Sequence, residues 1–273
     1  MNKSYGEIYE AAKAVLTGEK EFEETCGIWQ GYSARCVELP WLMHQLRGIS
    51  HRNILDIGFS LAALDYLRIL LDLRKEEGVA LQAIDIVDPK RVFERYPEEW
   101  HHEIRQVPVI VEDIRTARLP IDQFDTVLCI SMIEHIGYDK AAGMDSKSAF
   151  VRTAKPEDVN LVRSDRVEEI VLAQIRKALK RGGHLLLTVP AGKGGVVLLK
   201  DSLGLYCAQF EYNRESWQRI ARAEGFECLD QGFFSLEDNN TWKKVESITS
   251  LAGSEAFQYS HSRGCAAIML RKI

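Results

Sequence analysis

The stretch FDTVLCISMIEHIG (124–137), followed by LKRGGHLLLTVP (179–190), decides the fold of this chain. Residues 124–131 form the strongest apolar run in the sequence and predict a buried strand. The apolar spacing over 165–180 predicts a helix that the following RGG tripeptide closes, and residues 184–189 predict the next strand. A buried strand, a helix and a second buried strand are typical of a parallel sheet covered by helices.

The same alternation extends to both sides of this stretch. Apolar spacing followed by glycine predicts helices over 61–77 and 213–224, and residues 90–103 predict a further helix. The expected fold class is therefore α/β, with a mostly parallel seven-stranded sheet and helices on both faces. Its other strands, and a helix that precedes them all, are predicted at 53–58, 79–86, 107–111, 226–234 and 265–270, and at 5–17.

Three segments depart from simple strand–helix alternation. Residues 1–50 predict an N-terminal helical cap, which Pro40 breaks, in front of a main domain over 51–273. Residues 138–164 and 192–212 are long insertions. Because long insertions in compact domains are usually functional, we expect both to act as lids over a substrate site.

Charge and composition limit the class of protein. The 273 residues carry a net charge of -5 without a long basic run, which argues against a nucleic-acid partner. No stretch approaches the roughly 20 apolar residues of a membrane span, and the N-terminus has no apolar signal segment. The 6 cysteines form no CxxC pair, so we expect reduced thiols, no metal site and a cytoplasmic protein.

Polar residues follow several predicted strands, at the edge where an α/β sheet binds its ligands. Gly58 ends the first strand, and a glycine there lets the backbone turn sharply and approach a ligand. Asp85 follows the second strand and can accept hydrogen bonds from both hydroxyls of a ribose, with Asp88 as the alternative. Asp113 follows the third strand and can accept a hydrogen bond from an adenine amino group. This combination predicts a ligand that contains a nucleoside.

The segment after the fourth strand supplies candidate catalytic residues. His135 is the leading candidate for a general base, because an imidazole pKa near neutrality suits proton acceptance. Glu134 is the second candidate, and a structural role in the turn is the alternative for both. Residues of the two insertions are candidates for contact with the substrate: Tyr138, Asp139, Tyr206 and Tyr212.

Several stretches together resemble class I S-adenosylmethionine-dependent methyltransferases, from about residue 50 to the end of the chain. They are ILDIG (54–58), QAIDIVDP (82–89), VEDIRTARLPIDQFDTVLCISMIEHIG (111–137), IRKALKRGGHLLLTVPAG (175–192) and NRESWQRIARAEGFECL (213–229). The chain resembles the subgroup with an EHIG element after strand four, many members of which are directed at small molecules or saccharides. The resemblance implies a Rossmann-like methyltransferase fold, with S-adenosylmethionine as cofactor and S-adenosylhomocysteine as its product.

The resemblance also implies which residues bind the cofactor. Asp56 and Gly58 would frame the turn near its methionine part, and the backbone carbonyl of Ser131 would hold its amino group. One departure is the turn itself, which reads GFSLA (58–62) where the family usually has Gly-x-Gly-x-Gly, although the small Ser60 still permits close approach. The complete set of implied cofactor-binding residues is Asp56, Gly58, Ser60, Asp85, Asp113, Ile114 and Ser131.

The function expected from these observations is methyl transfer to a hydroxyl or amine of a small molecule, such as a saccharide or another biosynthetic intermediate. Two alternatives stay open. One is an enzyme that uses the same cofactor without methylating, and the other is a catalytically silent protein that binds cofactor or a partner for regulation. The altered glycine turn motivates the silent alternative. A homodimer also stays open.

Overall fold

Five parallel strands bring the predicted ligand-binding residues to one edge of the sheet. The computed structural model describes residues 5–28, 33–138, 155–158, 162–200, 206–251 and 262–273. Because parallel strands share a direction, their carboxyl ends meet at the same edge. The strands are β1 (Asn53–Ile57), β2 (Ala80–Asp85), β3 (Val109–Val111), β4 (Phe124–Ile130) and β5 (Leu179–Pro190), in the spatial order β3-β2-β1-β4-β5.

The other strands complete a mixed sheet and add a separate hairpin. They are β6 (Gly195–Lys200), β7 (Tyr206–Glu211), β8 (Phe226–Leu236), β9 (Trp242–Val245) and β10 (Gly264–Lys272). β10 lies between β5 and β8 and is antiparallel to both, and β9 lies antiparallel to β8 at the edge. The predicted Rossmann-like α/β fold is therefore confirmed, and its sheet has 8 strands where 7 were predicted.

The eighth strand, β9, was not predicted. Its sequence WKKV is short, and two exposed lysines follow the buried Trp242. A short strand with exposed lysines is typical of a sheet edge, where charge prevents pairing with another chain. Such a strand has little of the apolar pattern by which strands are recognised in a sequence.

Helices cover both faces of the sheet, as predicted. Alternate residues of β4 point to opposite faces: Leu128 and Ile130 pack into one apolar cluster, and Val127 and Cys129 into the other. The first cluster includes residues of α1, α2 and α3, and the second includes residues of α5 and α6. The helices are α1 (Tyr5–Leu16), α2 (Arg35–Arg47), α3 (Leu64–Lys75), α4 (His101–Arg105), α5 (Val167–Ala178) and α6 (Arg214–Ala221).

The prediction that Pro40 breaks the N-terminal segment is wrong, because α2 continues through it. Proline removes one intrahelical hydrogen bond and normally interrupts a helix. Here the flanking residues Leu39 and Trp41 are buried in the apolar cluster, and most of the other residues of α2 are buried as well. Tertiary packing of nearly the whole helix surface outweighs the local preference.

Two further boundaries differ from the prediction. Residues 90–103 do not form one helix: two 3₁₀ turns, Pro89–Arg95 and Glu98–Trp100, precede the short α4, and Pro97 separates them. The RGG tripeptide does not close α5, because β5 already begins at Leu179 and contains it. Pairing of β4 with β5 shifts register there, which accommodates the extra residues as a bulge.

The insertion predicted at 192–212 contains the β6–β7 hairpin, with residues 201–205 outside the described part of the chain. The hairpin forms its own two-stranded sheet and packs near the turn that follows β4. Of the insertion predicted at 138–164, most residues lie outside the described ranges. A single antiparallel bridge pairs Tyr138 with Arg163 across it. The lid role of both insertions stays a prediction.

Candidate functional site

The turn after β1 requires glycine at its first position. Gly58 adopts φ +96°, a left-handed conformation that L-residues rarely adopt, and its N–H donates to the carbonyl of Ile84 at 3.0 Å. A Cβ added to Gly58 would lie 2.6 Å from Sδ of Met132, which belongs to the segment after β4. Gly58 therefore lets the turn after β1 and the segment after β4 approach each other closely.

Asp85 ties this turn to the end of β2. Its Oδ2 accepts the backbone N–H of Ser60 at 2.9 Å, and its Oδ1 accepts the N–H of Val87 at 2.9 Å. The Ser60 hydroxyl in turn donates to the carbonyl of Val87 at 2.6 Å. Burial raises the pKa of Asp85, and these N–H donors offset part of the rise. The two sequence-predicted residues Ser60 and Asp85 are thus in direct contact.

Tyr96 covers the contact between Ser60 and Asp85, and it was not identified from the sequence. Its hydroxyl donates to the backbone carbonyl of Ser60, and only 4% of Asp85 is exposed. Asp88, the alternative ribose-binding residue, is half-buried and accepts the N–H of Lys90 at 2.9 Å. Asp85 is the more enclosed of the two carboxylates, and Asp88 the more accessible.

Of the two residues predicted to contact adenine, Asp113 is paired and Ile114 is buried. Asp113 is paired with Arg115, whose Nη2 lies 2.7 Å from Oδ2. Burial by itself raises the pKa of Asp113, but the hydrogen bonds from Arg115 outweigh it and the net shift is downward. Ile114 is buried in the core. Asp113 therefore has a partner already, and Ile114 does not line the surface.

Two exposed apolar side chains lie at this part of the edge instead. Ile86 is 45% exposed and directly follows Asp85, while Val111 is 48% exposed and pairs with Asp85 in the sheet register. An exposed branched side chain such as Ile86, directly after a strand-end carboxylate, offers an apolar surface for a planar ring. The sequence could have indicated Ile86, because this residue directly follows the strand-end carboxylate of Asp85.

Ser131 marks the end of β4 and has φ +47°, which is uncommon for a residue other than glycine. Its N–H donates to the carbonyl of Thr188 at 3.0 Å, and its hydroxyl donates to Oε1 of Glu38 at 2.6 Å. The same Oε1 accepts the Thr188 hydroxyl at 2.8 Å, and Oε2 accepts from Arg35 at 2.9 Å. The helix α2, which the sequence placed in the cap, thus supplies two charged residues to this edge.

A cluster of buried carboxyl groups, Asp56, Asp65 and Glu134, lies beside Arg35. Each has one oxygen without a hydrogen-bond partner among the described residues: Oδ2 of Asp56, Oδ2 of Asp65 and Oε2 of Glu134. Burial raises the pKa of Asp56 to about 7 and that of Glu134 to about 8, and it raises the pKa of Asp65. Arg35 offsets part of the rise in all three. We call these three residues the carboxyl cluster.

The predicted base His135 lies at the end of the 3₁₀ turn Ile133–His135. Its Nε2 lies 4.0 Å from Oε1 of Glu134, and its side chain is 15% exposed. Tyr138 follows on the same segment, and its hydroxyl is buried without a partner among the described residues. Burial is the main cause that raises the pKa of Tyr138. The structure therefore brings Glu134, His135 and Tyr138 together after β4.

Only some of the residues predicted to contact the substrate lie near the segment that follows β4. Tyr206 and Tyr138 both pack against the small apolar cluster that Leu198 and Ala208 form in the hairpin. Tyr212 is fully buried, and its hydroxyl donates to Glu168 at 2.8 Å and accepts from Arg163 at 3.1 Å. The structure places Tyr212 in the protein core, because its hydroxyl completes a buried ion pair. Asp139 lies outside the described residues.

Within the described residues, no group of His, Cys, Asp and Glu is arranged to hold a metal ion. Among the same residues, no helix has the length and apolar character to cross a membrane.

No protein-family model matches the sequence, and no curated protein matches it. Among solved structures, the chain is similar to the PH0226 protein from Pyrococcus horikoshii OT3, with a TM-score of 0.50 and 14% identity over 89% of this chain and 91% of that chain. It is similar to an S-adenosylmethionine dependent methyltransferase from Mesorhizobium loti, with a TM-score of 0.48 and 13% identity over 86% and 97%. It is also similar to 1,6-didemethyltoxoflavin-N1-methyltransferase from Burkholderia thailandensis, with bound S-adenosylhomocysteine, at a TM-score of 0.45 and 14% identity over 98% and 85%. Likeness at such identities supports the fold alone.

Proposed function

We propose that this protein binds S-adenosylmethionine and transfers its methyl group to a hydroxyl or amine of a small molecule. The observation that carries the proposal is the carboxyl cluster at the ligand-binding edge of a methyltransferase-type sheet. A buried carboxylate without a partner is costly, and a nearby cation stabilises it. S-adenosylmethionine carries two such cations, a sulfonium and an amino group.

The residues at the strand ends fit the other parts of this cofactor. Gly58 leaves room for close backbone approach, and Ser131 has a carbonyl at the end of β4. Asp85 is the proposed ribose-binding carboxylate, since each carboxylate oxygen can accept more than the one N–H it has here. Ile86 supplies an exposed apolar surface for adenine, because Asp113 is already paired with Arg115.

When bound, S-adenosylmethionine supplies an activated methyl group on a positively charged sulfur. The protein then has to position the acceptor and remove its proton, and a positioned base contributes about 10² to 10⁴-fold. We assign proton acceptance to His135, whose Nε2 lies 4.0 Å from Oε1 of Glu134. Tyr138 offers its buried hydroxyl to the acceptor.

A catalytically silent cofactor-binding or regulatory protein is the second candidate. The enclosed state of Asp85 favours it, because Ser60, Val87 and Tyr96 surround the position of the ribose. A ribose would reach Asp85 only if Tyr96 or the turn after β1 moved. An enzyme and a silent protein therefore differ in turnover and not in fold.

Calorimetric titration with S-adenosylmethionine is the test of cofactor binding. Micromolar affinity, followed by mass increases of one methyl group across an acceptor panel, supports the enzyme. With an acceptor that the wild-type protein methylates, we expect His135→Asn to slow turnover by about 10²-fold and to leave the cofactor affinity unchanged. Absence of binding contradicts the enzyme and a silent protein that binds the cofactor, whereas binding without any methylated product supports the silent protein.

A further inference from the structure

We propose that a cavity beside the end of β5 binds an acidic group of the methyl acceptor, so that the acceptor is a small molecule with a phosphate or a carboxylate. Because the acidic group is that of the methyl acceptor, this assignment rests on the proposed function. The cavity has a volume of about 570 Å³, a size typical of small-molecule sites. Its lining comes from Gly192 and Lys193 after β5, from the start of α6, and from the segment that contains Ile248 and Leu251.

The turn after β5 places Lys193 at this cavity. The backbone N–H of Lys193 donates to Oε2 of Glu211 at 2.9 Å, and its carbonyl accepts from Nδ2 of Asn213 at 3.5 Å. Glycine is needed before it, because a Cβ added to Gly192 would lie 2.8 Å from the carboxyl group of Glu211. Glycine is also needed after it, because a Cβ added to Gly194 would lie 2.4 Å from Nδ2 of Asn213. The backbone of Lys193 is therefore held in place while its side chain stays exposed.

The first turn of α6 supplies a second cation. Arg214 and Gln218 both line the cavity, and their spacing of four residues puts them on one face of the helix. Asn213 caps this helix, since its side-chain oxygen accepts the N–H of Ser216 at 3.0 Å. The cap fixes the start of α6, and with it the backbone position of Arg214.

The described lining of the cavity carries more positive than negative charge. Neither Lys193 nor Arg214 forms an ion pair with a carboxylate of the residues that the structure describes. The lining includes the carboxylate of Glu215, whose Oε1 lies 3.8 Å from Nη2 of Arg219. The buried Glu211 lies outside the lining, behind the backbone of Lys193. Two cations without a carboxylate of their own, at one small cavity, match the charge of a phosphate or carboxylate.

The register of β5 limits the distance between the cavity and the segment after β4. Thr188 pairs with Ile130 in the sheet, and its carbonyl accepts the N–H of Ser131 at 3.0 Å. Gly192 follows Thr188 along the chain by a span of at most about 13 Å, at roughly 3.3 Å per residue of extended chain. A small acceptor can therefore place its acidic group in the cavity while its reactive atom lies near the segment after β4.

The cavity is tested by nuclear magnetic resonance titration of the full chain with inorganic phosphate and, separately, with malonate at constant ionic strength. We expect millimolar binding of at least one of the two anions, seen as shifts of the backbone amide signals of residues 192–194 and Arg214. Lys193→Gln and Arg214→Gln should each weaken this binding about tenfold, because each removes a hydrogen bond to a charged group. Tighter binding of phosphate indicates a phosphorylated acceptor, and tighter binding of malonate indicates a carboxylic acid.

Lys177→Gln and Arg222→Gln are the matched controls, because both side chains are exposed and lie outside the lining of the cavity. They should leave the affinity for both anions unchanged. Absence of shifts with both anions, shifts confined to other residues, or unchanged affinity in Lys193→Gln and Arg214→Gln each overturn the inference. Since the titration uses no S-adenosylmethionine, these outcomes leave the proposed function intact.

A kinetic measurement then connects the cavity to the acceptor, with a substrate that the wild-type protein methylates. Arg214→Gln should raise the KM for this substrate about tenfold and change kcat by less than about twofold, because the contact is the same in the ground state and the transition state. An acceptor without an acidic group, methylated with equal KM by wild type and variant, overturns the inference and supports the proposed function. Absence of S-adenosylmethionine binding overturns the proposed function, and with it the assignment of the acidic group to a methyl acceptor.

Discussion

The hydroxyl of Ser131 donates a 2.6 Å hydrogen bond to the carboxylate of Glu38, 93 residues away in the sequence. Glu38 lies on α2, and Ser131 ends β4 with a left-handed backbone. The same carboxylate accepts the Thr188 hydroxyl from β5 and pairs with Arg35. A single buried side chain of the predicted N-terminal cap thus joins the ends of two central strands at the predicted ligand-binding edge.

We expect Glu38→Ala to lower the free energy of unfolding by about 3–5 kcal/mol, because it leaves a buried guanidinium and two hydroxyls without their acceptor. Urea unfolding followed by circular dichroism measures the change. Glu169→Ala is the control, since Glu169 pairs with Arg166 at the surface and should cost less than about 1 kcal/mol. Similar losses in the two variants would show that Glu38 does not organise this edge.

Gly58→Ala should destabilise the protein more than Gly78→Ala. Both glycines have positive φ, so each substitution incurs backbone strain of about 1–2 kcal/mol. At Gly78 an added Cβ meets nothing within 4 Å, whereas at Gly58 it lies 2.6 Å from Sδ of Met132. Thermal unfolding should therefore separate the two variants. Equal melting temperatures would mean that Met132 moves aside at no cost.

Asp85→Asn tests whether Asp85 shapes the turn as well as binding ribose. We expect a loss of about 1–3 kcal/mol in unfolding free energy, because the amide replaces one of the two oxygens that accept the N–H groups of Ser60 and Val87. Cofactor affinity should fall in the same variant. Asp88→Asn is the control, since its carboxylate accepts only the N–H of Lys90 in the part of the chain that the structure describes. A weakened affinity in Asp88→Asn alone would move the ribose contact to Asp88.

The stability of the ligand-free protein should fall as pH rises from about 4 to 8. In the folded state the pKa of Asp56 is about 7 and that of Glu134 about 8, above their ordinary values of 3.8 and 4.5. Through this window the folded protein holds protons that the unfolded chain has released. Each group therefore removes up to about 1.4 kcal/mol of stability per pH unit.

Comparing the free energy of unfolding of the wild type and Asp56→Asn isolates the contribution of the Asp56 carboxyl group to the pH dependence. Urea unfolding across the pH range should give a shallower decline for the variant, which holds no proton at this position. Asp238→Asn, at a side chain that is 95% exposed, should follow the wild-type profile. Parallel profiles for wild type and Asp56→Asn would show that Asp56 is ionised in the folded protein.

The sequence by itself determined the order of strands and helices along the chain and the positions of polar residues at strand ends. Apolar periodicity depends on residues within a few positions of one another, so it can be recognised from the sequence alone. Gly58, Asp85 and Ser131 all lie at the ends of strands, as predicted. The strand β9 and the continuation of α2 through Pro40 had no such local signal.

The tertiary structure alone decided which of those residues face one another and with what charge. Glu38 and Arg35 were ordinary helix residues in the sequence, and Tyr212 was an aromatic residue in an insertion. Packing placed the first two beside the end of β4 and buried Tyr212 against Arg163 and Glu168. Burial, pairing and pKa depend on neighbours that are distant in the sequence, because desolvation and Coulomb attraction act through space and not along the chain.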